Sequence, residues 1–277
     1  MLRKLIKYDI LADYKRYGIV FAAMLMFSIL LMALDRLTEI FKENRFFEVM
    51  MIVCAMLFFA AAVVMFTMIF VIATIRFYKN LVRDEGYLMH TLPVPTWKLI
   101  MSKFLTTYIW SAAALIVTGI CFGIVAGELL WLFKLDIGWE ALSSAFVEGT
   151  VNGTAEQLRN FFLICFIVMA LTPGFMVLHI YMSLALGNLF HTHKLGMSVL
   201  MFFALYIAEQ ILSGVFMMFM SAEMIEYLTV LDAVVPFEAG YRYMMTSLIF
   251  SVVFTVVLMV VYFIGAERIF SKKLNLE

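Results

Sequence analysis

Glu209, in the stretch Leu205-Tyr206-Ile207-Ala208-Glu209-Gln210, is the residue of this sequence best placed to do chemistry. It is read as the one ionisable group near the middle of any long apolar run, where a carboxylate costs about 2.5–3.5 kcal/mol on membrane-insertion scales. Such a group faces protein or water. It is either a titrating functional group or one end of a structural hydrogen bond between helices, with Gln210 beside it. Glu128, the other acid within a run, lies near the run's end. Other constellations offer less. His191 and His193 stand at alternate positions, but two ligands do not complete a metal site. Cys54, Cys121 and Cys165 are odd in number and lack a C-x-x-C spacing, so they neither staple a domain nor hold zinc. No lysine follows a glycine, which excludes the phosphate-binding G-x-x-x-x-G-K loop, and neither H-E-x-x-H nor G-x-S-x-G occurs. The chain is therefore read as no enzyme, with no cofactor or metal of its own.

The elements that position these residues follow from composition. Of the 277 residues, 65% are hydrophobic and 14% charged, against about a quarter charged in soluble domains. A soluble core of this size still needs a charged shell, whereas acyl chains solvate Leu, Phe, Met and Val directly. The expected fold is an all-α integral membrane protein. Net charge is zero, which argues against a nucleic-acid partner.

Apolar runs fall at roughly 17–34, 50–75, 104–133, 160–188, 195–220 and 244–266, each long enough for one crossing at about 20 residues. Six spans put both ends on one side. Residues 1–16 place Leu2, Leu5, Ile6, Ile10 and Tyr14 on one helical side with Lys4, Lys7 and Lys15 roughly opposite, which predicts an amphipathic helix on the inner face. Asp9 and Asp13 interrupt its apolar stripe, pointing to a protein partner there. Residues 17–277 form one membrane domain, with outer loops near 35–49, 134–159 and 221–243 and a tail at 267–277. With the ends inside, fourteen of the twenty Lys and Arg lie on the cytoplasmic side, which satisfies the positive-inside rule. Trp110 and Trp131 stand 21 residues apart in the third run, about 31 Å of helix. That spacing suits the two headgroup levels, with aromatic packing as the alternative.

Within the spans, Gly119, Gly123 and Gly127 bare one strip of backbone, which predicts a helix-packing face; a substrate groove is the sharper alternative. Pro173-Gly174 removes a backbone bond near the middle of the fourth run and predicts a kink or break there.

The link from Arg76 to Lys103 has its own architecture. The second helix is expected to run on to Glu85, stop at Gly86, cross a turn holding Pro93 and Pro95 and restart near Thr96. Glu85-Gly86, then Leu92-Pro93-Val94, then Ser102-Lys103 opening a span resembles the permeases of type-2 ABC exporters. The resemblance extends to the amphipathic start, the six spans and the Gly187-Asn188-Leu189-Phe190 link, and so to nearly the whole chain. Pro95-Thr96 departs from it, where many relatives continue with Ser and a basic residue.

That resemblance implies a bacterial plasma-membrane protein in which two permease subunits, the same or related, form the pathway and cytoplasmic ABC ATPase subunits dock below. ATP and Mg would sit on those partners, and membrane lipid around the permease. Arg83, Asp84, Glu85, Gly86, Tyr87, Leu92, Pro93 and Pro95 would form the ATPase-coupling elbow, and Glu209 and Gln210 would lie at the pathway or the dimer seam. An amphipathic, peptide-like or lipid-like cargo is implied. The alternatives are a secondary transporter using Glu209 as its proton or cation group, and a non-transporting assembly or sensor protein.

Overall fold

The computed structural model describes residues 2–40, 45–79, 95–132, 154–190, 193–231 and 237–272. Every element among them is a helix: α1 (Leu2–Ile40), α2 (Arg45–Phe77), α3 (Thr96–Leu132), α4 (Thr154–Gly187), α5 (Lys194–Leu231) and α6 (Phe237–Lys272). Each contains a stretch long and apolar enough to cross a membrane. A helix satisfies its own backbone hydrogen bonds, so these apolar runs have no competing conformation in hydrocarbon. Among its described residues the protein is all-helical, and it is a multi-pass membrane protein.

The helices overrun the apolar cores from which they were predicted. α1 has 39 residues, about 58 Å at 1.5 Å per residue. Its amphipathic first turns pass without a break into the apolar run, because nothing near Arg16-Tyr17-Gly18 stops a helix and a Cβ at Gly18 would meet nothing within 4 Å. α4 likewise stays helical through the buried Pro173 and Gly174, so the chain has no break at that point. α3 restarts at Thr96 as expected, with the Lys98 amide donating to the Pro95 carbonyl at 2.9 Å.

Two compact units divide the chain. Unit 1 comprises residues 1–75 and 101–155, and unit 2 comprises 76–100 and 156–277. In unit 1, α1, α2 and α3 share a core. Met24, Leu31 and Leu34 of α1 meet Met51, Cys54, Ala55 and Phe58 of α2 and Cys121 and Val125 of α3. A second cluster joins Tyr17, Met65, Ile69 and Ala114, with Trp110 packed against it. Trp110 lies 4.6 Å from Tyr17 and 6.0 Å from Phe21 between ring centroids, and its Nε1 is buried without a hydrogen-bond partner. Trp110 is thus a packing residue of unit 1.

Toward its start the buried face of α3 turns polar: Ser102, Lys103, Thr106, Thr107 and Ser111 are all buried. The helix satisfies these hydroxyls itself, with Thr106, Thr107 and Ser111 donating to the carbonyls of Ser102, Lys103 and Thr107. Such back-bonding lets hydroxyls enter an apolar interior at small cost.

In unit 2, α4 is the central helix, burying Val177, Leu178, His179, Tyr181, Ser183, Leu184 and Ala185. α5 contributes one stripe, Ser198, Phe202, Leu205, Glu209, Ser213 and Phe216, at the three-and-four spacing of a single helical face. Phe216 stacks on Phe250 of α6. Gly187 closes the turn from α4 to α5, because a Cβ there would fall 2.5 Å from the Ser198 Cα. Only glycine allows that approach without a backbone shift. The end of α2 belongs to this unit as well: Phe77 is fully buried, stacks on Tyr181 at 3.8 Å and meets Phe270 edge-on at 5.5 Å.

Candidate functional site

Three helices of unit 2 each send one polar side chain to a common point. His179 comes from α4, Glu209 from α5 and Tyr262 from α6, and they are 2%, 7% and 5% exposed. His179 Nδ1 lies 2.8 Å from Glu209 Oε1. The Tyr262 hydroxyl donates to the same Oε1 in a short hydrogen bond. The second ring nitrogen, His179 Nε2, lies 3.1 Å from the backbone carbonyl of Phe202, one of the residues of the α5 stripe. Phe202 and Phe175 wall the imidazole, at 4.6 and 6.0 Å between centroids, and the Tyr262 ring stands perpendicular to it at 5.7 Å. Aromatic walls exclude water and strengthen every polar contact inside them.

The carboxylate singled out by the sequence is therefore the centre of a built site, and its partners are not those expected. Gln210 points the other way and is exposed. A residue one position further along a helix lies about 100° round the axis, so the two cannot share a face. Glu209 occupies the interior of the three helices, whereas Gln210 lies on the uncovered side of α5 beside Ile207 and Ile211. His179 is a second ionisable group within an apolar run, beyond the Glu209 on which the sequence reading rests. The signal was present: Leu178-His179-Ile180 lies within an apolar run, and a histidine there is nearly as costly as an acid.

A second buried pair lies in unit 1. Lys103 Nζ is 2.7 Å from Asp9 Oδ1, with both side chains almost wholly buried, and Asp13 sits one turn further along α1 with Arg16 at 3.8 Å. These acids interrupt the apolar stripe because that side of α1 faces the polar start of α3. Asp9 is paired with this chain's own Lys103, and Asp13 with Arg16.

Of the elbow residues, Arg83, Asp84, Glu85, Gly86, Tyr87, Leu92 and Pro93 lie outside the described residues, and Pro95 is exposed. Gly119 and Gly123 are exposed, and a Cβ at either would meet nothing within 4 Å; Gly127 continues α3. His193 is exposed at the start of α5 with φ 54°, while His191 lies outside the described residues. The three cysteines are free thiols. Among the described residues no cluster of three or more His, Cys, Asp or Glu side chains could hold a metal ion.

No family model, curated protein or solved structure matches the chain.

Proposed function

We propose that the chain is the permease subunit of an ATP-driven exporter of the type-2 ABC class, set in a bacterial plasma membrane with both ends in the cytoplasm. Separate ATPase subunits hydrolyse ATP, a second permease completes the pathway, and the cargo is amphipathic, peptide-like or lipid-like. One observation carries the reading beyond sequence resemblance. The segment Arg76–Ile100, which joins α2 to α3, belongs to unit 2, while the shafts of both helices belong to unit 1.

On this reading a load on that segment is passed on at its two described ends, the end of α2 and the start of α3. It enters unit 2 at Phe77, wedged against Tyr181 and Phe270, a burial that stabilises the joint by about 2–3 kcal/mol. It enters unit 1 through α2 and through Met101 onward in α3. Packed helices transmit displacement as stiff bodies, which supports reading this segment as a coupling element. Co-expression with neighbouring genes and purification in detergent tests the reading. An ATPase subunit is expected to copurify, and Glu85→Arg or Gly86→Pro to release it; retention through both changes would remove the coupling assignment.

A carrier driven by protonation of Glu209 is the second reading, and the hydrogen bonds of Glu209 to His179 and Tyr262 are what favour it. Transport by proteoliposomes that needs a proton gradient and no ATP would select it.

A further inference from the structure

We infer that His179 and Glu209 form a proton-binding site inside unit 2, holding one shared proton in a pair that is neutral overall, and that this neutral state keeps α5 closed on α4 and α6. The inference is independent of the exporter reading.

The protonation state follows from the acceptors. Phe202 offers His179 Nε2 only a carbonyl oxygen, so Nε2 must carry a hydrogen. The remaining question is what lies between Nδ1 and Glu209 Oε1, 2.8 Å apart. With no proton between them, two lone pairs would face each other in a buried place, and the carboxylate would be left as an uncompensated charge. One proton resolves both problems. On Nδ1 it gives an imidazolium beside a carboxylate, and on Oε1 a neutral imidazole beside a carboxylic acid. Passage between the two moves a single proton and leaves the total charge at zero. Tyr262 donates to Oε1 in either form, because that oxygen keeps a free lone pair in both.

Gain of a second proton leaves an imidazolium beside a neutral acid, with net charge +1. Loss of the shared proton leaves a neutral imidazole beside a carboxylate, with net charge −1. Nothing nearby offsets either charge. His179 and Glu209 are the only buried acid or base among the described residues of unit 2. From α6 the site receives the Tyr262 phenol and from α5 the Phe202 carbonyl. Tyr181, the other buried phenol of α4, stacks on Phe77 at the end of α2. An isolated buried charge is expelled toward water when the structure allows it. The helix that gives way is α5, because His179 holds it at two points, the Glu209 side chain and the Phe202 carbonyl, while most of its other face is uncovered.

Thermal stability of the purified protein in detergent, measured from acid to alkaline pH, tests the site. The wild type is expected to lose stability on both sides of a plateau. Glu209→Gln keeps the shape of the side chain and still hydrogen-bonds Nδ1, but has no shared proton to release, so it loses the part of the alkaline limb that belongs to this pair, while an acid limb remains because His179 can still take up a proton. Groups elsewhere in the protein are the same in both proteins, so the difference between the two profiles is the quantity read. A Glu209→Gln profile superimposable on the wild type overturns the inference. Should that variant fail to fold, the paired change His179→Leu with Glu209→Met replaces both polar groups by apolar ones of similar size, and the same two outcomes apply.

Discussion

The His179 imidazole and the Glu209 carboxyl meet nitrogen to oxygen at 2.8 Å between two helices whose contacting residues lie 30 positions apart in the chain. Removing one partner leaves the other buried and unmatched, whereas removing both leaves an apolar contact. Glu209→Leu or His179→Leu alone is expected to destabilise the protein by about 3–5 kcal/mol, and the double change by clearly less than the sum of the two. Denaturant unfolding of the four proteins of this cycle measures the coupling. Strict additivity would mean that the two side chains do not interact.

The Asp9–Lys103 pair makes a parallel prediction for unit 1. Lys103→Met leaves Asp9 buried beside an apolar side chain and is expected to cost about 3–5 kcal/mol, with Asp9→Leu in the same chain recovering most of it. High salt should leave the wild-type contact nearly unaffected, because both side chains are shielded from the solvent. Unfolding transitions at low and high ionic strength check both statements.

Glycine positions separate sharply. Gly187→Ala drives a Cβ against the Ser198 backbone and is expected to cost about 1–3 kcal/mol. Ser198→Ala in the same chain does not restore stability, because the obstruction includes the Ser198 Cα and amide nitrogen. Gly123→Ala meets open space and leaves folding unchanged or improved by up to about 1 kcal/mol, the usual helix preference for alanine. Thermal unfolding distinguishes the three variants.

Phe77 ties the end of α2 to α4 and α6 within unit 2. Phe77→Ala opens a cavity beside Tyr181 and is expected to cost about 3–5 kcal/mol. On the proposed function, this variant should still bind the ATPase subunits, since no residue of the elbow is changed, but lose the stimulation of their hydrolysis. Parallel pull-down and phosphate-release assays read the two effects.

Much of the fold was legible in the sequence. Six apolar runs correspond to six helices because hydrocarbon tolerates no other local structure, and the helices extend past the runs where no turn signal stops them, as α1 does through Arg16-Tyr17-Gly18. Pro173 predicts a kink or break in α4, and the helix continues through it without a break, since one missing amide in a buried helix is absorbed. The site was half legible. Glu209 was marked by its cost in an apolar run, and His179 could have been found by the same criterion. The junction itself could not, because Tyr262 looks like any aromatic residue of a span and the pairing depends on tertiary packing. The same holds for Asp9 and Lys103, 94 residues apart, which looked like a defect in a stripe and a charge at the mouth of a span.

The central claim is that a cytoplasmic ATPase rests on the link between α2 and α3, and site-specific photo-crosslinking tests it most directly. A photoreactive amino acid replaces Pro95, exposed at the start of α3, or Ile249, exposed within the apolar part of α6, in cells that co-express the neighbouring genes. The account predicts an adduct of the mass of an ATPase subunit from position 95 and none from position 249. Irradiation that yields no ATPase adduct from position 95, with both proteins present at normal levels, would contradict it.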